Sequence, residues 1–158
     1  MKSASAGLMK SENREGFAVS FSTKVVVRYA ETDQMGIAHH SNYAVWYELA
    51  RTEFTKTLGM TYTQMEAMGV LTPLVELSCR YLSPARYEDE LTVEVRLVKL
   101  TRAKLEFTYA IYKEGNDKPL NTGKTVHAMV DASMKPVNVE KKHPELYAKL
   151  ASELEKED

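Results

Sequence analysis

The residues best placed for chemistry lie in one stretch, Tyr29 to Tyr43, which reads YAETDQMGIAHHSNY. Asp33 lies in this stretch just ahead of a segment with helical periodicity. The first turn of a helix presents unpaired amides and about half a positive charge, which suits a carbonyl oxygen that gains negative charge. A carboxylate beside such a helix start can act as a nucleophile or as a base for water. The pair is the minimum equipment for hydrolysing an activated ester.

Asp33 also fits a purely structural interpretation, because an aspartate ahead of a helix often forms a turn or a cap. Gly36 marks a turn here, and its missing side chain would let backbone and substrate approach closely. The residue types alone leave both interpretations of Asp33 open.

A strand and a long helix are expected to position this loop. Phe17 to Arg28 ends in a β-branched run and predicts the first strand. Asn42 to Leu58 predicts the helix, because its apolar residues recur at three- and four-residue steps, and Gly59 fits the position just past its end. Ser41 or Asn42 is expected to cap the helix start.

The second half of the chain predicts mainly strands, flanked by two helices. The helices are expected at Tyr62 to Ala67 and His143 to Lys156. The strands are expected at Leu71 to Leu82, Leu91 to Leu100, Lys104 to Lys113 and Thr122 to Asp131, with a short piece at Pro136 to Val139. The turns between them are hairpin-like, so neighbouring strands are expected to run antiparallel.

This order of elements predicts an α+β protein in which an antiparallel sheet of about five strands wraps the long helix. Such a sheet leaves edge strands, and pairing of edges between copies predicts a homodimer or homotetramer. Residues 1–16 show no apolar period and are expected to be a flexible leader. Residues 17–158 then form a single domain.

Charge and composition exclude several classes of partner. Lys and Arg total 21 against 22 Asp and Glu, a net charge of -1, which gives no overall attraction to nucleic acid or an anionic membrane. No apolar run has the length of a membrane span, and no secretory signal is visible, so a cytoplasmic location is expected. Cys79 is the only cysteine and is expected to be a buried, inert thiol.

Three motifs resemble one family. They are the loop continued through YAVWYELARTEF at 43–54, SPARYEDELTV at 83–93 and LTRAKLEF at 100–107. Together, from about Val19 to Val139, they resemble the 4-hydroxybenzoyl-CoA thioesterase family of the hot-dog fold, especially its bacterial branch of Tol-Pal-associated acyl-CoA thioesterases. The resemblance implies hydrolysis of an acyl-CoA, or of an acyl carrier protein thioester, without a cofactor. Coenzyme A is then part of the substrate.

The resemblance also implies roles for individual residues. Asp33 matches the catalytic carboxylate of the family, and His40 matches the position whose backbone amide polarises the thioester carbonyl. Arg102 and Lys104 match a segment that contacts the phosphates and pantetheine of coenzyme A. Tyr43, close to the helix start, is expected to line the acyl pocket.

Other polar residues are given structural roles. His39 has no counterpart with a role in the family, and the spacing of the histidines does not suit a metal site. Some hot-dog thioesterases use a helix carboxylate, but the full Asp33 motif assigns Glu48 and Glu53, with Arg51, to ion pairs or a dimer interface. Two rival functions stay open: a hot-dog dehydratase acting on hydroxyacyl thioesters, and a non-catalytic protein that binds acyl thioesters. The sequence does not determine the acyl group.

Overall fold

The computed structural model describes residues 9–12 and 19–154, and these form one antiparallel sheet with helices. The order of strands across the sheet is β1-β2-β4-β5-β6-β3. The strands are β1 (Met9–Glu12), β2 (Val19–Val26), β3 (Leu74–Tyr81), β4 (Glu90–Leu100), β5 (Lys104–Lys113) and β6 (Asn121–Ala128). The helices are a 3-10 turn (Tyr29–Glu31), α1 (Ser41–Thr57), α2 (Tyr62–Ala67), α3 (Val139–Lys142) and α4 (Pro144–Ser152).

One face of the sheet is apolar and packs against α1. Alternate residues of β4 and β5 are buried, as their period of two predicts. Phe54 of α1 meets Phe21 of β2 and Phe107 of β5 edge-on, with ring centroids 5.0 and 5.6 Å apart. Tyr47 stacks on Tyr109 of β5 with centroids 4.2 Å apart. The predicted α+β arrangement, an antiparallel sheet around a central helix, is confirmed.

The end of α1 follows the prediction, but its start does not. Gly59 has φ +72 and donates its amide to the carbonyl of Lys56 at 3.0 Å, which closes the helix. At the start, His40 is the N-cap residue and its own side chain makes no cap bond, whereas His39 Nδ1 accepts the amide of Ser41 at 3.3 Å. The side chains of Ser41 and Asn42 turn back to the preceding loop, where Asn42 Nδ2 donates to the carbonyl of His39 at 3.0 Å. The capping prediction is therefore wrong.

The piece Pro136 to Val139 does not form the predicted strand. Pro136 makes only an isolated bridge to Val130, because proline lacks the amide that a ladder needs. Val139 instead begins α3, and Asn138 caps this helix by accepting the amide of Lys141 at 3.1 Å. The helix predicted from His143 to Lys156 is α4, and residues 155–158 lie outside the described part of the chain.

Part of the predicted leader belongs to the sheet. Met9–Glu12 pair antiparallel with β2 as an edge strand, so the expectation of a leader apart from the fold is wrong for these four residues. Backbone hydrogen bonds hold such an edge strand, and four residues are too few to show an apolar period. The rest of 1–16 lies outside the described residues.

The opposite edge of the sheet, β3, is open, since no described strand pairs with its outer side. Its residues are exposed except for the half-buried Cys79, where Tyr47 of α1 reaches the strand, its hydroxyl 3.3 Å from the sulfur. Leu74, Val75 and Leu77 are 51%, 59% and 42% exposed. An edge strand that shows so much apolar surface is suited to pairing with another chain.

Candidate active site

The loop between β2 and α1 is closed at its base. Thr32 and Ala38 form an antiparallel bridge, and the amide of His39 donates to the carbonyl of Glu31 at 2.8 Å. Asp33 therefore directly follows Thr32 on one side of this closure. His40, the N-cap residue of α1, directly follows His39 on the other side. The loop brings the two predicted catalytic residues to the same end of α1.

The carboxylate of Asp33 holds its own turn with one oxygen. Asp33 Oδ1 accepts the amide of Met35 at 2.8 Å, and Gly36 donates to the Asp33 carbonyl at 2.9 Å. No described residue donates a hydrogen bond to the second carboxylate oxygen. One carboxylate oxygen of Asp33 therefore has the structural role of holding the turn. The other oxygen has no partner among the described residues and is available for chemistry.

His40 offers its backbone rather than its ring. Within the described residues its amide makes no hydrogen bond, and its carbonyl accepts the hydroxyl of Tyr81 at 3.0 Å. The exposed ring lies against that of His39, with centroids 4.0 Å apart. An unpaired amide at the start of a helix is the kind of donor that stabilises a developing oxyanion.

Gly36 is favoured by the backbone conformation at this position rather than by close packing. Its φ is +77, a left-handed conformation that glycine adopts without strain. A side chain there would meet nothing within 4 Å, so the close approach expected at Gly36 is not made by any described atom. Arg86 Nη1 donates to the Gly36 carbonyl at 3.4 Å and ties the loop to residues 83–89.

Tyr43 is buried in the first turn of α1. Its ring meets Trp46 and Tyr81, with centroids 4.8 and 5.0 Å away. Burial raises the pKa of Tyr43, although a hydrogen bond with the Ala85 backbone opposes the shift. Through Tyr81, this ring adjoins the open edge of the sheet.

Arg102 and Lys104 do not meet Asp33 within one chain. Both are exposed and lie where β4 turns into β5. The Asp33 loop follows β2, whose last residue, Val26, pairs with Glu90 at the other end of β4. At about 3.3 Å per residue, the length of β4 separates the two ends by roughly 30 Å.

Two residues beside the site, Glu31 and Trp46, were not predicted from the sequence. Glu31 Oε2 accepts the indole Nε1–H of Trp46 at 2.9 Å, and both side chains are buried. The sequence places Trp46 among the aromatic residues of the predicted helix, where a core or interface position is the simplest interpretation. The one available signal was the acidic residue two places before Asp33, and no pattern shows that it is buried.

Among the described residues Arg51 pairs with neither Glu48 nor Glu53, and the alternative expectation of a dimer interface stays a prediction. Its guanidinium donates to the Tyr109 hydroxyl at 3.1 Å, and Glu53 pairs instead with Lys56 at 2.8 Å. Cys79 is half-buried beside Tyr47 and Asn121, which lie 3.3 and 3.1 Å from its sulfur. Within the described chain, these contacts indicate structural roles for Arg51 and Cys79.

Two further properties concern the described residues only. They contain no cluster of three or more His, Cys, Asp or Glu that could hold a metal ion. None of their helices is both long enough and apolar enough to span a membrane.

Comparison with known proteins identifies the family. Residues 27–150 match the model of the thioesterase-like superfamily. A Bacillus subtilis (strain 168) protein named "Putative acyl-CoA thioesterase YneP" is 37% identical over 123 residues, which cover 77% of this chain and 88% of the relative. The acyl-CoA thioester hydrolase YbgC of Escherichia coli O157:H7 is 30% identical over 117 residues, which cover 73% of this chain and 87% of the relative.

Solved structures agree with this assignment. The DHNA-CoA thioesterase from Staphylococcus aureus superposes with a TM-score of 0.78 at 30% identity, covering 83% of this chain and 88% of that one. The chain belongs to the thioesterase-like superfamily and has its hot-dog fold. It is therefore an enzyme of the thioester-hydrolase class.

Proposed function

We propose that the protein hydrolyses an acyl-CoA thioester to the free acid and coenzyme A, with Asp33 as general base or nucleophile. The amide of His40 donates to the thioester oxygen. The observation that carries the proposal is that one closed loop holds a carboxylate oxygen and a helix-start amide, neither of which has a partner among the described residues. Relatives named for acyl-CoA hydrolysis support the choice of substrate.

The chemistry follows from these two groups. As the thioester carbonyl is attacked, its oxygen gains negative charge, which the His40 amide and the N-terminal end of α1 stabilise. Either the Asp33 carboxylate attacks directly and forms an anhydride that water then opens, or it removes a proton from the attacking water. Both routes break the carbon–sulfur bond and release coenzyme A as the thiol.

The active assembly is a homodimer, or a tetramer built from such dimers, in this proposal. The open strand β3 exposes apolar residues, and Val45 and Leu49 on the outer face of α1 are 58% and 39% exposed. A second copy that pairs along β3 would bury both surfaces. It would also allow Arg102 and Lys104 of that copy to bind the phosphates of coenzyme A, which those of the same chain are too distant to do.

Several finer assignments remain predictions. They are the 4-hydroxybenzoyl-CoA thioesterase family with its Tol-Pal-associated branch, an acyl carrier protein as alternative carrier, and a cytoplasmic location. The dehydratase rival requires a histidine whose ring acts on the substrate. The surroundings of His40 favour its amide instead, because this amide has no partner among the described residues and lies at the start of α1, whereas the ring lies against that of His39.

A thiol-release screen tests the proposal. The protein is offered short, long and aromatic acyl-CoAs, and free thiol is measured for the wild type and for Asp33→Asn. Release of thiol by the wild type that Asp33→Asn loses supports the proposal. An enoyl product without free thiol indicates the dehydratase, and tight binding without turnover indicates a binding protein.

A further inference from the structure

A buried carboxylate next to the catalytic loop joins three segments of the chain. Glu31 Oε1 accepts the amide of Arg28 at 2.9 Å and lies 3.2 Å from Arg28 Nε. Glu31 Oε2 accepts the indole of Trp46, in the second turn of α1. The side chain is only 6% exposed. Burial by itself raises the pKa of Glu31, but the bonds from Arg28 and Trp46 outweigh it and hold this pKa below its ordinary value.

The backbone of Glu31 holds the other limb of the loop. Its carbonyl accepts the amide of His39 and the Nδ2 of Asn42, each at 2.8 Å. His39 directly precedes His40, and Glu31 lies two residues before Asp33. A displacement of Glu31 therefore moves the carboxylate and the oxyanion donor relative to each other.

We propose that Glu31 is a positioning residue that keeps the Asp33 carboxylate and the His40 amide in register by fastening the loop to Trp46. This inference rests on the proposed function. Since chemistry requires reacting atoms at near-attack distance, a shift of about 1 Å can lower the rate roughly 100-fold. Glu31 itself stays buried and does not touch the substrate.

Glu31→Gln is the informative variant because it nearly preserves shape. A carboxylate can accept from Arg28 and Trp46 together, but an amide has one accepting oxygen and would turn its NH2 group toward the other donor. Trp46→Phe removes one donor and leaves Arg28 in place. We expect Glu31→Gln to lower kcat about 10- to 100-fold with KM changed by less than about twofold. Trp46→Phe should have a smaller effect that is not additive with it.

A structural readout separates this inference from the proposed function. Hydrogen exchange of residues 32–42 should accelerate at least about tenfold in Glu31→Gln. Trp46 is the only tryptophan, so its fluorescence should show an acid titration step in the wild type that Glu31→Gln lacks. Thr61→Ala is the control, because Thr61 caps α2, which follows α1 at its far end, by accepting the Gln64 amide at 3.2 Å. It should change neither exchange in the loop nor kcat.

The outcomes are distinct. The positioning role is supported if Glu31→Gln shows faster exchange in the loop and a lower kcat, while Thr61→Ala shows neither. Unchanged exchange in the loop overturns it, whatever the activity, and so does faster exchange with wild-type kcat. An equal loss of kcat in Thr61→Ala also overturns it, because the loss would then reflect general destabilisation. Absence of hydrolysis by the wild type, with a loop still loosened by Glu31→Gln, contradicts the proposed function separately.

Discussion

The hydroxyl of Tyr81 donates a hydrogen bond to the carbonyl of His40 at 3.0 Å, and this bond joins the open edge of the sheet to the start of α1. Although Tyr81 is 51% exposed, partial shielding of its hydroxyl from solvent, together with the neighbouring Cys79, raises its pKa, so the hydroxyl stays protonated at ordinary pH. His40, the residue whose amide is the proposed oxyanion donor, is therefore tied through its carbonyl to the strand on which a second copy is expected to dock.

Removing that bond should slow hydrolysis modestly. Tyr81→Phe deletes the donor and keeps the ring that packs on Tyr43. A net hydrogen bond is worth about 0.5–1.5 kcal/mol, so we expect kcat to fall about 2- to 10-fold across neutral pH. Steady-state kinetics with the best acyl-CoA measures this.

Tyr87→Phe is the matched control for that variant. Tyr87 is exposed, and its ring meets that of Tyr29 rather than the helix start. It should hydrolyse like the wild type. A Tyr81→Phe protein with the wild-type kcat would show that this bond does not position His40.

His127 should make stability depend on pH. Burial, and secondarily the charge of Arg51, lowers the pKa of His127 to about 4, while the Thr72 carbonyl opposes the shift. The unfolded chain, with an ordinary histidine pKa of about 6.5, binds more protons between those two values. The contribution of neutral His127 is therefore complete above about pH 6.5 and is lost as the pH falls toward 4. Urea unfolding at pH 7 and pH 5 measures the loss.

A variant that cannot be protonated isolates this effect. His127→Gln lowers stability at pH 7 if it disturbs the bond that Thr125 shares with His127, but its stability should change less between pH 7 and pH 5. Parallel declines in the wild type and His127→Gln would assign the pH dependence to other groups.

The proposed dimer depends on β3. Leu77 is 42% exposed in the middle of that strand, so Leu77→Lys places a charge on the surface that a second copy would cover. We expect sedimentation equilibrium to show a dimer or tetramer for the wild type and a smaller species for Leu77→Lys. Met134→Lys, at a residue that is 60% exposed between β6 and α3, away from β3 in sequence, should keep the wild-type mass. A monomeric wild type would contradict the shared site.

The regular elements were largely predictable from sequence because their side-chain period is visible. The bounds of β5 and α2 match the predictions, since alternation in Leu105 to Ile111 and the glycine after the short helix are local signals. The strand predicted at Pro136 to Val139 is wrong. The apolar residues beside Pro136 resemble a strand, but proline cannot complete a ladder of hydrogen bonds.

The site was predicted only as far as its motif extends. The motif predicts roles for Asp33 and His40. It does not predict the position of Glu31, because the hydrogen bond between Glu31 and Trp46, fifteen residues away, forms only when the loop folds onto α1. Likewise, the resemblance assigned Arg102 and Lys104, which lie in another motif, to the same substrate as Asp33. The sheet places these two residues near one end of β4 and the Asp33 loop near the other, a relationship set by tertiary structure.

The most direct test of the central claim is kcat for Asp33→Asn beside Asp131→Asn. Both aspartates accept backbone amides in their own turns, Asp33 from Met35 at 2.8 Å and Asp131 from Ser133 at 2.8 Å, but only Asp33 lies before α1. With the best acyl-CoA, we predict a fall of at least about 100-fold for Asp33→Asn and less than about threefold for Asp131→Asn. Comparable kcat values for Asp33→Asn and the wild type would contradict the assignment of Asp33 as the catalytic carboxylate.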